Sequence, residues 1–143
     1  MQIKFKKLST RAQLPVQATD GSACFDIHTT CTTAVTVSQE CPCSFDTGLA
    51  FQIPIGFAML VFSRSGHGFK NDVRLSNAVG VLDSDFRGEL KVKLASDGAP
   101  YTVSPGERIA QVMVLPLPAI YFRECDSLDT TARGTGGFGS SGQ

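Results

Sequence analysis

Charge is in short supply in this sequence. Lys, Arg, Asp and Glu make up 18% of its 143 residues and cancel to a net charge of zero. Soluble domains usually carry about 25% charged residues, so the shortfall points to surface covered by subunit contacts. Neutrality also argues against any general attraction to nucleic acid or to an anionic membrane, and an anionic ligand must be held by local groups. No apolar run is long enough to span a bilayer, and the first fourteen residues scatter Lys and Arg without the apolar core of a signal peptide. The expectation is a cytoplasmic protein with neither a membrane nor a nucleic-acid partner. There are only two histidines, and Cys24 with His28, or Cys41 with Cys43, follows no recognised zinc spacing. Five cysteines leave one unpaired in any full disulfide scheme, which suits a reducing compartment. Small buried hydrophobes is the simpler role for them. Helical periodicity is missing as well, since no stretch combines it with normal helix length.

What the chain has instead is short apolar segments broken by 14 Gly and 7 Pro. One all-β domain follows, as a sandwich, a jelly roll or a barrel. Strands are expected around Ile3 and Phe5, before and through Asp26, and over the Thr- and Val-rich stretch from Thr29 to Val37. Two apolar runs between Phe45 and Phe62, separated by Pro54 and Gly56, read as a hairpin. Leu90, Val92 and Leu94 alternate with Lys91 and Lys93, a strand with one wet face. Ile109 to Leu115 reads as an almost unbroken apolar strand in which Gln111 is the polar exception. A buried amide needs partners, so Gln111 either caps neighbouring backbone or reaches into a site.

Four segments carry possible chemistry. Asn77 to Gly88 reads as a strand, a tight turn and a return strand, with Asp83, Asp85, Phe86 and Arg87 crowded into the turn. Turns favour acids for backbone reasons alone, so this signal is ambiguous by itself. Ser63 to Lys70 places the guanidinium of Arg64, the hydroxyl of Ser65 and the ammonium of Lys70 around two glycines, a composition compatible with phosphate but equally with an ordinary loop or a single helical turn. It lacks the spacing of a P-loop. Asp26 sits among apolar residues, either buried with a partner or at a wet edge. The tail from Arg133 to Gly142 surrounds Phe138 with five glycines. It reads either as a mobile spacer or as a lid, with Arg133 and the Ser hydroxyls for phosphate and a ring to stack on a base.

Taken in order, Gly21-Ser22-Ala23-Cys24-Phe25-Asp26-Ile27, Arg64-Ser65-Gly66, Gly80 to Gly88, Gly106-Glu107-Arg108-Ile109-Ala110-Gln111 and Arg133 to Ser140 resemble the five motifs of the homotrimeric dUTPases. The resemblance implies a distorted jelly-roll-like subunit (a β-clip) over residues 1–132 and a flexible arm over residues 133–143. Three subunits would form a homotrimer with active sites at their interfaces. It implies hydrolysis of dUTP to dUMP and pyrophosphate, limiting dUTP and supplying dUMP for dTMP synthesis, with Mg²⁺ carried mainly by the triphosphate. Asp83 corresponds to the family's water-activating carboxylate. Asn77, with the backbone at Gly80 and Val81, would read uracil, and Phe86 would gauge the sugar where the family usually has Tyr. Arg64, Ser65, Gly66 and Gln111 would hold phosphates or order the site. Arg133, Phe138, Gly139, Ser140 and Ser141 would close over it, and Asp26 would meet Mg²⁺ only through water. Ser63, Cys24 and Ser141 depart from the usual Pro, Gly and Thr without removing a catalytic group. A dCTP deaminase relative and a nucleotide-sensing regulatory trimer are the alternatives.

Overall fold

The computed structural model describes residues 1–137 and Ser140. Ten strands and one short helix pack as two four-stranded sheets and a two-stranded ribbon, a jelly-roll-like arrangement. The first sheet contains β1 (Lys4–Lys7), β4 (Cys43–Gln52), β8 (Glu89–Ser96) and β6 (Val73–Leu75), in the order β1-β4-β8-β6. The second contains β2 (Phe25–His28), β10 (Arg108–Pro116), β5 (Phe57–Phe62) and β7 (Gly80–Leu82), in the order β2-β10-β5-β7. The ribbon pairs β3 (Val35–Val37) with β9 (Tyr101–Val103).

Alternation decides which side of each strand is dry. In β8, Leu90, Val92 and Leu94 are buried while Lys91 and Lys93 are exposed, as the sequence pattern requires of a half-wet strand. The facing side chains of both sheets, among them Ile27, Leu49, Leu75, Leu94 and Ile109, form one core. Burying apolar area of this kind is what drives the two sheets together, at roughly 25 cal/mol per Å².

Three expectations fail here, the two hairpins for one reason. The runs on either side of Pro54 are strands, but β4 belongs to the first sheet and β5 to the second, so they form no hairpin. The stretch from Asn77 to Gly88 likewise passes through β7 and ends just ahead of β8, which lies in the opposite sheet. Only Val35–Val37 of the Thr29 to Val37 stretch is a strand. Local alternation marks a strand without naming its partner, and partners here lie far away in sequence.

The fourth difference is α1 (Ser65–Asn71), a seven-residue helix in the segment read as a loop or single turn. Gly66 and Gly68 weaken it, each by about 1 kcal/mol relative to Ala. Its end is defined by Asp72, a left-handed residue at φ 53° whose N–H reaches the carbonyl of His67. Asp tolerates that conformation better than most side chains. The burial of the cysteines also differs from expectation, since Cys41 and Cys125 are exposed and Cys24, Cys31 and Cys43 are only half-buried; all five are free thiols.

Candidate active site

Among the described residues β7 is an edge strand, paired with β5 alone through Met59–Leu82, Leu60–Val81 and Val61–Gly80. Alternate N–H and C=O groups on its other edge are therefore free of sheet partners and available to a ligand. The chain arrives there through a tight bend in which Ala78 takes φ 60° and the N–H of Val79 bonds the carbonyl of Asn77 at 2.7 Å. Left-handed backbone at a residue with a Cβ costs on the order of 1 kcal/mol, a strain commonly kept where a site needs the shape. Space at Gly80 is tight: a Cβ there would lie 3.1 Å from Cβ of Val61, close enough that the neighbour would have to give by a few tenths of an ångström.

Beyond β7 lies an open cleft of about 330 Å³ lined by Asn77, Gly80, Val81, Asp83, Phe86 and Glu89. Five residues expected to handle the base, the sugar and the attacking water thus line a single cleft. Asp83 is exposed, and among the described residues nothing hydrogen-bonds its carboxylate. Phe86 is 45% exposed, too open for a core residue, and its ring folds over Gly88. Arg87 braces the turn by donating from one guanidinium nitrogen to the carbonyls of Ser84 (2.7 Å) and Phe86 (2.8 Å). Glu89 is fixed in the cleft wall by accepting the N–H of Gly48 at 2.7 Å.

The other expected residues gather elsewhere on the subunit. Asp26 is 8% exposed and resolves its ambiguity in favour of burial. Its Oδ1 accepts from Arg64 Nε at 3.0 Å and its Oδ2 from Arg108 at 3.1 Å. A register irregularity between Arg108 and Ala110 sets Gln111 opposite Asp26 on the neighbouring strand. The Gln111 amide donates to the carbonyl of Ser63 at 2.9 Å, so it caps backbone just ahead of Arg64. Arg64 also donates to the carbonyl of Arg108 at 3.3 Å, while Ser65 and Gly66 are exposed. Asp26 and Gln111 line a separate hollow of about 240 Å³ with Ala18, Ser22, Ala23 and Cys24. Burial is the larger influence on Cys24 and, with Asp26 nearby, raises its thiol pKa.

Asp26 is a single carboxylate already engaged by two guanidinium groups, and the described residues hold no cluster of three or more metal-ligating side chains. Such a donor set suits Mg²⁺ carried by phosphate oxygens and met through water, and does not suit an ion caged by protein.

Arg133 donates from Nε to the carbonyl of Gly136 at 2.9 Å within a local turn, and Ser140 is exposed. Phe138, Gly139 and Ser141 lie outside the described residues.

A family model described as dUTPase matches residues 10–142. The chain belongs to the dUTPase family. The deoxyuridine 5'-triphosphate nucleotidohydrolase of Coxiella burnetii is 39% identical over 145 residues, covering 100% of this chain and 95% of that protein. The protein of that name from Helicobacter pylori is 37% identical, covering 99% and 97%. Among solved structures, the dUTPase of Staphylococcus bacteriophage 80alpha with dUPNHPP superposes with a TM-score of 0.88 at 24% identity, covering 99% of both chains. This dUTPase chain therefore shares its fold with the phage protein, and its family rests on the model and on the bacterial relatives.

Sequence reasoning passed over His67, Tyr101, Glu107 and Arg108 as site-building residues. The visible signals were a histidine between glycines and an acid-base pair opening a strand. Their meaning depends on contacts across the fold.

Proposed function

We infer that this chain hydrolyses dUTP to dUMP and pyrophosphate. The observation that carries the reading is the gathering of Asn77, Gly80, Val81, Asp83 and Phe86 around one open cleft. The free edge of β7 offers a fixed pattern of donors and acceptors to uracil, and cytosine's exocyclic amine would leave buried groups unpaired. Asn77 completes that pattern. The Phe86 ring packs against deoxyribose and leaves no space for a 2′-hydroxyl. Asp83 takes a proton from water as its oxygen bonds the α-phosphorus, and the bond from that phosphorus to the bridging oxygen breaks to release pyrophosphate.

Ser65, Gly66, Arg64 and Gln111 hold or order the phosphate-binding segment. When bound with the triphosphate, Mg²⁺ offsets negative charge on the phosphate oxygens, and Asp26 is the carboxylate suited to its waters. Arg133, Phe138, Gly139, Ser140 and Ser141, as the arm over residues 133–143, close on the ligand and exclude bulk water. The activity limits dUTP and supplies dUMP for dTMP synthesis in the cytoplasm.

We place the complete site between subunits of a homotrimer. The cleft and the hollow lined by Asp26 and Gln111, with Arg64 bonded to Asp26, are separate on one subunit, so a neighbouring copy is needed to unite them. Large exposed apolar side chains after β10, including Leu117, Ile120, Phe122 and Leu128, suit burial against such a neighbour.

Pyrophosphate release from dUTP, dCTP, dTTP and UTP, measured side by side with Mg²⁺, tests the reading. Turnover confined to dUTP supports it. Ammonia from dCTP would make the chain a deaminase, and tight binding of dUTP without turnover would make it a sensor.

A further inference from the structure

One buried polar cluster has no part in the chemistry above. His67 is the sole buried residue of α1, and its Nε2 lies 2.9 Å from Oε1 of Glu107. The same oxygen accepts the Tyr101 hydroxyl at 2.6 Å, and Oε2 accepts the N–H of Ser104 at 2.7 Å. The imidazole also lies against the Tyr101 ring, with centroids 5.4 Å apart.

The donor assignment follows from the partner. Burial works to raise the Glu107 pKa, yet the hydrogen bonds from Tyr101, Ser104 and His67 outweigh it and hold the carboxyl below its ordinary value. An ionised carboxylate only accepts, so Nε2 of His67 carries the proton and donates. Nδ1 of His67 is buried and has no partner among the described residues. A buried ring nitrogen left unpaired is costly, which weighs against a residue present only to fill space.

The helix has little local support of its own. It is seven residues long, contains Gly66 and Gly68, has no acid in its first turn and no side-chain cap at Arg64. Neither length nor propensity would sustain it in isolation. Its first residues, Ser65 and Gly66, are exposed at the end beside Arg64. Glu107 in turn precedes Arg108, whose carbonyl and guanidinium meet Arg64 and Asp26.

We propose that His67 is a positioning residue, whose Nε2–H donation to Glu107 locks α1 onto the β9–β10 turn and so sets Ser65 and Gly66 against the substrate phosphates. The role rests on the reading of Ser65 and Gly66 as phosphate-binding groups. A small displacement of such groups is expensive: about 1 Å can cost on the order of a hundredfold in rate.

The test uses the full chain with His67→Leu, His67→Gln and His67→Asn. Leu fills the space without a donor, Gln carries an amide nitrogen at the reach of Nε2, and Asn falls short of it. Steady-state kinetics with dUTP should show kcat reduced roughly tenfold to a hundredfold in H67L and H67N, with H67Q within about threefold of the original. Binding of dUMP, which lacks the β- and γ-phosphates, should be unchanged in all three by calorimetry. Hydrogen exchange of residues 65–71 in the unliganded protein should accelerate in H67L and H67N and recover in H67Q.

A folded H67L with undiminished kcat overturns the proposal, as does a folded H67Q as impaired as H67L. Faster exchange in α1 with intact turnover does the same, because the brace would then be structural alone. Should the original protein release no pyrophosphate from dUTP, the hydrolase reading fails and the positioning role with it. The exchange pattern would then still report whether His67 braces the helix.

Discussion

The ring of Phe86 lies over Gly88 so closely that a Cβ on Gly88 would sit 2.6 Å from Cζ. The proposed sugar gauge therefore needs a missing side chain two residues further on. Gly88 has no positive φ to demand glycine, so the requirement is one of space. Gly88→Ala should fold but tilt the ring, lowering the preference for dUTP over UTP by roughly tenfold. Phe86→Ala should lower it further. Ratios of kcat/KM for the two nucleotides measure both, and unchanged ratios would remove Phe86 from sugar selection.

Asp83 stands at the cleft with an exposed carboxylate that the described part of the chain does not engage. A group left free in this way contributes little to folding and can be spent on the reaction. Asp83→Asn should lower kcat by roughly a hundredfold to ten-thousandfold with a KM near the original and an unaltered melting temperature. Turnover of dUTP at the original rate would assign the water-activating role to another group.

Asp26 differs because its charge is already matched inside the subunit. Replacing it by Ala leaves Arg64 and Arg108 facing each other across a partly buried space without their shared acceptor. Arg108 is half open to solvent, which screens part of the effect. A loss of about 1–3 kcal/mol is expected, read as a lower denaturant midpoint at unchanged slope. Activity should fall as well, since Arg64 leads directly into Ser65. A variant of unaltered stability and lower Mg²⁺ affinity would give Asp26 a metal role in place of a structural one.

What could be seen in the sequence is largely what is local. Lys91 and Lys93 between Leu90, Val92 and Leu94 announce a half-wet strand, because alternation is a property of consecutive residues. Asn77 to Phe86 could be read as one site because they share one stretch. Strand partnership could not: β7 and β8 are separated by six residues and yet lie in different sheets. The helix at Ser65–Asn71 was hidden for a related reason. Two glycines argue against it locally, and its anchor, Glu107, lies 40 residues away. Asp26 was equally opaque, since one acid among apolar residues fits a wet edge or a buried pair, and Arg108 is 82 positions distant.

The arm offers a test of division of labour between residues 1–132 and 133–143. Among the described residues the strands all lie between Lys4 and Pro116, and Arg133 donates within its own turn, to Gly136. Removing residues from Arg133 onward should therefore preserve the fold and the trimer while lowering turnover by two or more orders of magnitude, roughly the contribution expected of a closing lid that aligns the phosphates. Sedimentation and pyrophosphate release, measured on the same sample, separate the two outcomes. Loss of assembly would make the arm structural.

Tyr101 and Glu107 give the protein a titration that can be read directly. Burial first, and then the hydrogen bond to Glu107, push the Tyr101 hydroxyl up to about 12. A folded-state value above the unfolded one means that the contribution to stability is complete below the ordinary tyrosine range and is lost as pH rises toward 12. Glu107 runs the other way: burial raises it, but its three donors prevail and hold it low. Its contribution is present above the ordinary carboxylate range and is lost as pH falls through the depressed folded value. Glu107→Gln should flatten the acid limb of stability against pH and bring Tyr101 ionisation down, because the phenol loses a charged acceptor. The chain has two tyrosines, so near-ultraviolet titration of the original protein and of Tyr101→Phe isolates the Tyr101 signal. If that signal ionises in the ordinary tyrosine range, the Tyr101–Glu107 bond is absent in solution, and the brace beneath α1 has lost one of its members.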